Sequence, residues 1–290
     1  MNIISEKILL LGFGDIAHRL AIRLSAHKHP LTAVRRSPIA SPLATTVAAD
    51  CTDISQLLPI VASGFDVIVI TMTPDSYSDA GYKKAYVDSM QTLLQALQQT
   101  QMAPRLILFV SSSSVYGQDA GEWVDENSET QPQRYNGQRV LEAENLLRDS
   151  GYAHCVVRFS GIYGPGRERM ISQLLKGSCV ASEPIIYSNR IHADDCAGVL
   201  HHLIHYSQHQ SIDSVYLATD NAPEPLWEVQ QWLREALRKR GYDVPMMAYQ
   251  ASSRASRRCR NARLLETGYV FSYPDFRQGY AAILDELQSL

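Results

Sequence analysis

Short, near-continuous runs of Val, Ile and Leu alternate with longer amphipathic stretches over the first two thirds of the chain. The runs are 7–11 (KILLL), 31–35 (LTAVR), 45–49 (TTVAA), 66–71 (DVIVIT), 105–112 (RLILFVSS) and 153–160 (AHCVVRFS). Apolar residues do not take turns with polar ones inside them, which predicts strands buried on both faces of a parallel sheet. Segments 15–27, 53–62, 79–100 and 133–150, between these runs, predict helices. Strands alternating with helices predict an α/β chain with right-handed crossovers and a doubly wound parallel sheet.

Beyond residue 160 the rhythm loosens. GIYGPGRER reads as a Gly/Pro loop and 185–192 as short extended pieces. DDCAGVLHHLIHYS predicts a helix with Asp194 or Asp195 at its start, where a carboxylate can cap free N–H groups. SVYLAT (214–219) predicts a further strand, and PLWEVQQWLREALRKR a further helix. With no internal repeat and no low-complexity linker, the pattern predicts a Rossmann-type domain over 1–165, to whose sheet 185–219 returns. A smaller C-terminal substrate lobe is predicted over 220–290.

Composition narrows the field. At 290 residues with 45% apolar and 20% charged residues, the chain has the make-up of a globular protein and no disorder signature. Its net charge of −3 supplies no global basic field for nucleic acid. The basic run R254-A-S-R-R-C-R260 lacks interleaved aromatics and reads as a solvated loop or one side of an anion-binding pocket. The apolar run in MNIISEKILLLGFGD is too short for a signal peptide or membrane span, so no membrane partner is expected. Cysteines 51, 155, 179, 196 and 259 show no C-x-x-C, which predicts a reduced, cytoplasmic protein, and Cys155 in AHCVVRF reads as core. The histidines of HHLIH (201–205) have no Cys or carboxylate cluster beside them; they read as surface and groove residues of an amphipathic helix, with no metal expected.

Candidate chemistry begins where the first run meets G12-F-G14-D-I-A17. Gly12 suits a tight turn, Gly14 lets backbone N–H groups approach a pyrophosphate at a helix N-terminus, and Ala17 is small enough for helix–strand packing. At the end of the second strand an NAD enzyme places Asp or Glu for the ribose hydroxyls. Here stand Arg35, Arg36 and Ser37, a positive site for a 2′-phosphate, so NADP is expected over NAD. Asp50, closing the third strand, is a candidate acceptor for the adenine amino group, or a turn residue. Tyr135 and Arg139 are four apart, on one face of a predicted helix. Spacing alone leaves open whether they are an acid–base pair or a phenol and a guanidinium on a solvated surface.

Taken in order, GFGDIA, S111-S-S-S-V-Y-G117, Tyr135-x-x-x-Arg139, RFSGIYGPGR (158–167) and NRIHADD (189–195) resemble the extended short-chain dehydrogenase/reductases. More closely, the chain resembles an atypical branch of the NAD(P)-dependent epimerase/dehydratase group, and SRRCRNARLLETGYVFSYPDFRQG near its end resembles that group's closing segment. The resemblance implies a cofactor-binding set of Gly12, Gly14, Asp15, Ile16, Arg35, Arg36, Asp50 and Thr71. It implies that Ser112 hydrogen-bonds the reacting oxygen and that Tyr135 is the general acid or base. Arg139 falls where the family has Lys. A cation about 4 Å from the phenol, at an effective dielectric near ~20, is worth roughly 4 kcal/mol, so Arg can supply the charge. It cannot relay a proton, because its pKa exceeds about 12. Ser113 and Ser114 occupy the positions of the dehydratases' Asp-Glu pair, which disfavours sugar dehydration. Ser114 and Arg167 are the expected substrate contacts, and His192 and Asp195 are expected to be structural. The implied function is an NADP-dependent oxidoreductase or epimerase acting on a small carbonyl, hydroxyl or nucleotide-sugar substrate, as a monomer or homodimer. The alternative is a dinucleotide-binding sensor or regulatory protein without turnover.

Overall fold

All seven apolar runs form strands, each ending within a residue or two of its predicted limits. In the computed structural model, which describes residues 3–37, 39–246, 248–250 and 256–288, they are β1 (Ile8–Leu11), β2 (Leu31–Arg35), β3 (Thr45–Ala48), β4 (Val67–Ile70), β5 (Leu106–Ser112), β6 (His154–Phe159) and β7 (Val215–Ala218). They form one parallel sheet in the order β7-β6-β5-β4-β1-β2-β3. The order reverses between β1 and β4, which pair in register from Ile8↔Val67 to Leu11↔Ile70. A crevice opens at the carboxyl ends of strands at such a reversal, and it is where open α/β sheets bind ligands.

The predicted helices form with one interruption. Helix α1 (Asp15–Ser25) buries Ile16, Ala17, Leu20, Ala21 and Leu24, the apolar stripe of its sequence. Helix α2 (Ile54–Val61) starts at Asp53, whose carboxylate accepts the Ser55 N–H at 2.9 Å. Segment 79–100 is not continuous. A short α-turn, Asp79–Tyr82, passes into a π-turn, Lys83–Asp88, before α3 (Ser89–Thr100). Ser89 and Thr92 hydroxyls bond back to the carbonyls of Ala85 and Asp88, the local competition that disturbs helix ladders. Helix α4 is Tyr135–Asp149 and α5 is Ala193–Tyr206.

The chain divides into two compact units. The first comprises 1–115, 130–158 and 197–216; the second comprises 116–129, 159–196 and 217–290. The second unit thus draws in 116–129 and 159–196, segments that lie well before residue 220 in the sequence. The first has its core in β1, β4 and β5 and the helices over them, around Leu9, Ile68, Leu93, Ile107 and Phe109. The second has its own core, built by α6 (Leu226–Lys239) and α7 (Phe276–Gln288) around Val229, Leu233, Phe276, Tyr280 and Leu284.

Within the second unit the Asp195 carboxylate does not cap a helix. It accepts the Tyr269 hydroxyl at 2.8 Å and the N–H groups of Ser272 and Tyr273 at 2.8 and 2.9 Å, fixing the closing segment. His192 stacks against Tyr273 with ring centroids 3.9 Å apart. The basic run near the C-terminus is no solvated loop over its described part; Arg254 and Ala255 lie outside the described residues. Ser256–Cys259 is a strand paired in parallel with Ala120–Val124. Arg257 donates to the carbonyls of Tyr116 and Gln118, and Arg258 lies over the rings of Trp123 and Tyr187. The aromatics that take these guanidiniums stand far away in sequence, which is why the run looks bare. All five cysteines are free and buried. Among the described residues, no helix is long and apolar enough to cross a membrane.

Candidate functional site

At the β1/β4 switch the first unit holds a cavity of about 670 Å³. The Gly12 to Gly14 turn forms one wall, Arg35 and Arg36 another, and Asp50 and Thr71 also line it. Gly12 has φ +87°, and a Cβ there would stand 2.9 Å from the Thr71 carbonyl oxygen, so both conformation and crowding demand glycine. The Thr71 hydroxyl donates to the Gly12 carbonyl at 2.6 Å and locks the turn to β4. A Cβ on Gly14, by contrast, would meet nothing within 4 Å. Gly14 also starts α1 without a side-chain cap. Free N–H groups at a helix N-terminus, beside open space that only a missing side chain leaves, suit a pyrophosphate. Gly14→Val is therefore expected to leave the circular dichroism spectrum intact while weakening dinucleotide binding by at least about tenfold in a fluorescence titration.

Two members of the expected cofactor set do not line the cavity. Asp15 pairs with Arg19 at 2.8 Å, and Ile16 is buried on the inner face of α1. The two arginines differ. Arg36 is held by the Asp75 carboxylate through two hydrogen bonds, whereas the Arg35 side chain, among the described residues, has no hydrogen bond or ion pair. Partial burial opposes ionisation of Asp50, yet hydrogen bonds from Thr52 and the Lys84 ammonium together hold its carboxyl below the usual carboxylate range. Asp75, Lys84 and Gly81 line the same cavity and escaped the sequence reading. A Cβ on Gly81 would stand 2.3 Å from the Ser76 carbonyl oxygen, which gives that glycine a packing role in the cavity wall.

The serine-rich loop and α4 meet within the same unit. Ser112 closes β5, its Oγ accepting the Ser114 N–H at 3.1 Å. Tyr135 is the first residue of α4 and is 38% exposed. Its hydroxyl donates to the Tyr77 carbonyl at 2.7 Å. Arg139, one helical turn further along α4, is paired with carboxylates. Its guanidinium binds Asp79 at 2.7 and 2.9 Å and Glu142 at 2.8 Å, because a planar fork matches carboxylates far better than a phenol. Those two hydrogen-bonded carboxylates raise the Arg139 pKa further, and the Arg139 pair lowers that of Asp79.

Gly137 makes the approach of α4 to the loop feasible, since a Cβ there would lie 2.2 Å from the Ser114 carbonyl oxygen and 2.6 Å from Pro132 Cβ. Glycine is a poor helix former, and its presence near the start of a predicted helix was the available sequence signal. Beneath the loop, the Ser111 hydroxyl donates to Glu144 of α4, and Glu144 pairs with Arg158 of β6 at 2.6 and 3.0 Å. Arg167 belongs to the second unit, exposed in a loop after Gly164 and Gly166, both at positive φ.

The sequence profile of the NAD-dependent epimerase/dehydratase family matches residues 8–216. The chain belongs to this family. A structure from Methylobacillus flagellatus, of the NAD-dependent epimerase/dehydratase type, is 35% identical over 98% of this chain and 100% of its own, with a TM-score of 0.81. MoeE5 in complex with UDP-glucuronic acid and NAD is 19% identical over 98% and 100% of the two chains, TM-score 0.79. The UDP-Glc/GlcNAc 4-epimerase of Campylobacter jejuni is 14% identical over 99% and 100%, TM-score 0.78. The last two share the fold. No curated protein sequence matches the chain. Within this epimerase/dehydratase framework the cleft, the serine loop and the Tyr135 helix occupy one unit and the Arg167 loop the other.

Proposed function

We propose that the chain is an NADP-dependent oxidoreductase or epimerase acting on a small carbonyl, hydroxyl or nucleotide-sugar substrate in the cytoplasm. The open space at Gly14, above an uncapped helix N-terminus and in a cavity that Arg35 and Arg36 also line, is the observation that carries this reading. Gly12 and Gly14 would hold the pyrophosphate, Asp50 the adenine, and Arg35 with Arg36 the 2′-phosphate. Bound there, the nicotinamide supplies the hydride acceptor or donor. Ser112 orients the reacting oxygen, and Tyr135 gives or takes its proton, exchanging the Tyr77 carbonyl for substrate. Arg139 acts through position: clamped on Asp79 and Glu142, it ties α4 to the turn that follows Tyr77. The nucleotide sugars named for MoeE5 and the C. jejuni epimerase place that class in the substrate panel.

Cofactor preference tests the reading. NADPH is expected to bind at least about tenfold tighter than NADH, a difference of roughly 1.4 kcal/mol. Arg35→Ala is expected to erase most of that preference, since among the described residues the Arg35 side chain, unlike that of Arg36, can meet a phosphate without breaking another pair. Asp75→Ala is expected to strengthen NADPH binding by releasing Arg36. Equal affinities in the parent protein, or a preference for NADH, would defeat the assignment. A second reading, a dinucleotide sensor without turnover, draws on one observation: the phenol and the guanidinium are both engaged with other groups rather than with each other.

A further inference from the structure

Four histidines converge far from the cofactor cleft. His27 lies in the turn after α1 and His29 just before β2, while His201 and His205 stand one helical turn apart on α5. All four belong to the first unit. His29 hydrogen-bonds through its Nδ1 to the backbone of Glu6, just ahead of β1, so the cluster sits at the amino-terminal edge of the sheet. The cofactor cleft is at the opposite, carboxyl edge. HHLIH therefore does not present only surface and groove residues: His202 stacks on Tyr206, but His201 and His205 turn onto the α1–β2 connection.

We propose that His27, His201 and His205 form a binding site for a zinc-like divalent transition-metal ion that staples α5 to the α1–β2 turn. One ring nitrogen from each of the three lies within 4.8 Å of the other two. Zinc–nitrogen bonds of about 2.0–2.1 Å in tetrahedral geometry place donor atoms roughly 3.3 Å apart, a closure that side-chain rotation supplies. The rings are already gathered, with centroids 4.3 Å apart for His201 and His205 and 5.1 Å for His27 and His205. His201 Nε2 is buried with no hydrogen-bond partner, a vacant lone pair or N–H that folding would otherwise leave unsatisfied. Imidazole-only donor sets suit zinc, copper, nickel and cobalt rather than magnesium or calcium.

His29 completes the arrangement. Its Nε2 is 2.9 Å from His205 Nε2 and its Nδ1 is within reach of both the Glu6 N–H and the Glu6 carbonyl. One tautomer of the pair lets His205 donate to His29 and His29 donate to the Glu6 carbonyl, which frees the other His205 nitrogen for a metal and fixes its ring. The Glu6 carboxylate, bound to Arg105 and Gln208, supplies nearby negative charge, and Arg23 stands close enough to oppose it at His201.

The test uses the full chain, free of any affinity tag and stripped by chelator, titrated with ZnCl2 calorimetrically and with CoCl2 by visible absorbance. The expected result is one ion per chain at micromolar or tighter affinity, with a four-coordinate cobalt spectrum and a raised melting temperature. His201→Gln and His205→Gln are expected to weaken zinc at least about tenfold, while His154→Gln, on β6 and outside the cluster, leaves it unchanged. On the unmutated protein, zinc is expected to protect His27, His201 and His205 from diethylpyrocarbonate, read by peptide mass spectrometry; this arm holds even where a variant misfolds. No saturable zinc binding, or zinc binding that leaves those three rings as reactive as before, would overturn the site.

Discussion

Tyr135→Phe is expected to lower turnover by about 10²–10⁴-fold, the usual contribution of a positioned acid or base. NADPH affinity is expected to hold, because Tyr135 does not line the cofactor cavity. The phenol already acts as a donor in this structure, its O–H hydrogen-bonded to the Tyr77 carbonyl at 2.7 Å. A substrate oxygen held by Ser112 must take over that hydrogen bond for the same proton to move. Arg139 separates two versions of the mechanism. A guanidinium beside the phenol would favour phenolate, and its loss in Arg139→Met would raise the ionisation controlling kcat by about one pH unit or more. With Arg139 committed to Asp79 and Glu142, that ionisation is expected to stay in place while stability or KM changes. Steady-state pH profiles of the two variants, over a panel of aldehydes, ketones and nucleotide sugars, provide the measurement. Turnover indifferent to Tyr135→Phe would remove the residue from the chemistry.

The parts of this site that the sequence makes legible are those set by local rules. Continuous Val/Ile/Leu runs mark buried parallel strands because both faces need apolar cover, and the seven strands of the central sheet were found from the apolar runs, although β3 at the sheet edge is not buried. The Gly12–Gly14 turn is legible because a strand, two glycines and a helix occur in contiguous order. What stays hidden depends on partners brought from a distance. Arg139 reads as a substitute cation until Asp79, sixty residues earlier, takes its fork. His201 and His205 look like helix surface until His27 and His29 arrive from the other end of the unit. The aromatic rings under Arg258 and the break in the 79–100 helix have the same origin, since neither the receiving rings nor a π-turn leaves a periodic trace.

Glu144→Gln is expected to cost about 3–5 kcal/mol of folding free energy, the range for breaking a buried ion pair by removing one partner. Glu144 is 0% exposed and Arg158 3%, so the guanidinium left behind has no route to water. Both carboxylate oxygens are used, one by Arg158 Nε and the Ser111 hydroxyl, the other by a second guanidinium nitrogen. A loss of that size is a large share of the roughly 5–15 kcal/mol that holds a typical domain folded. Urea denaturation followed by circular dichroism measures it, and a loss below about 1 kcal/mol would mean the pair is solvated in solution. The double replacement Glu144→Leu with Arg158→Met removes both charges and is expected to recover most of the stability, because apolar side chains of similar volume need no desolvation. Recovery of stability need not bring back activity. Glu144 joins α4, which carries Tyr135, to Ser111, the neighbour of Ser112, and this tie together with the close contact at Gly137 sets the spacing between phenol and serine. The double variant is therefore expected to fold with near-normal stability and bind NADPH, yet show a lower kcat, which distinguishes a pair that positions the site from one that only supports the core.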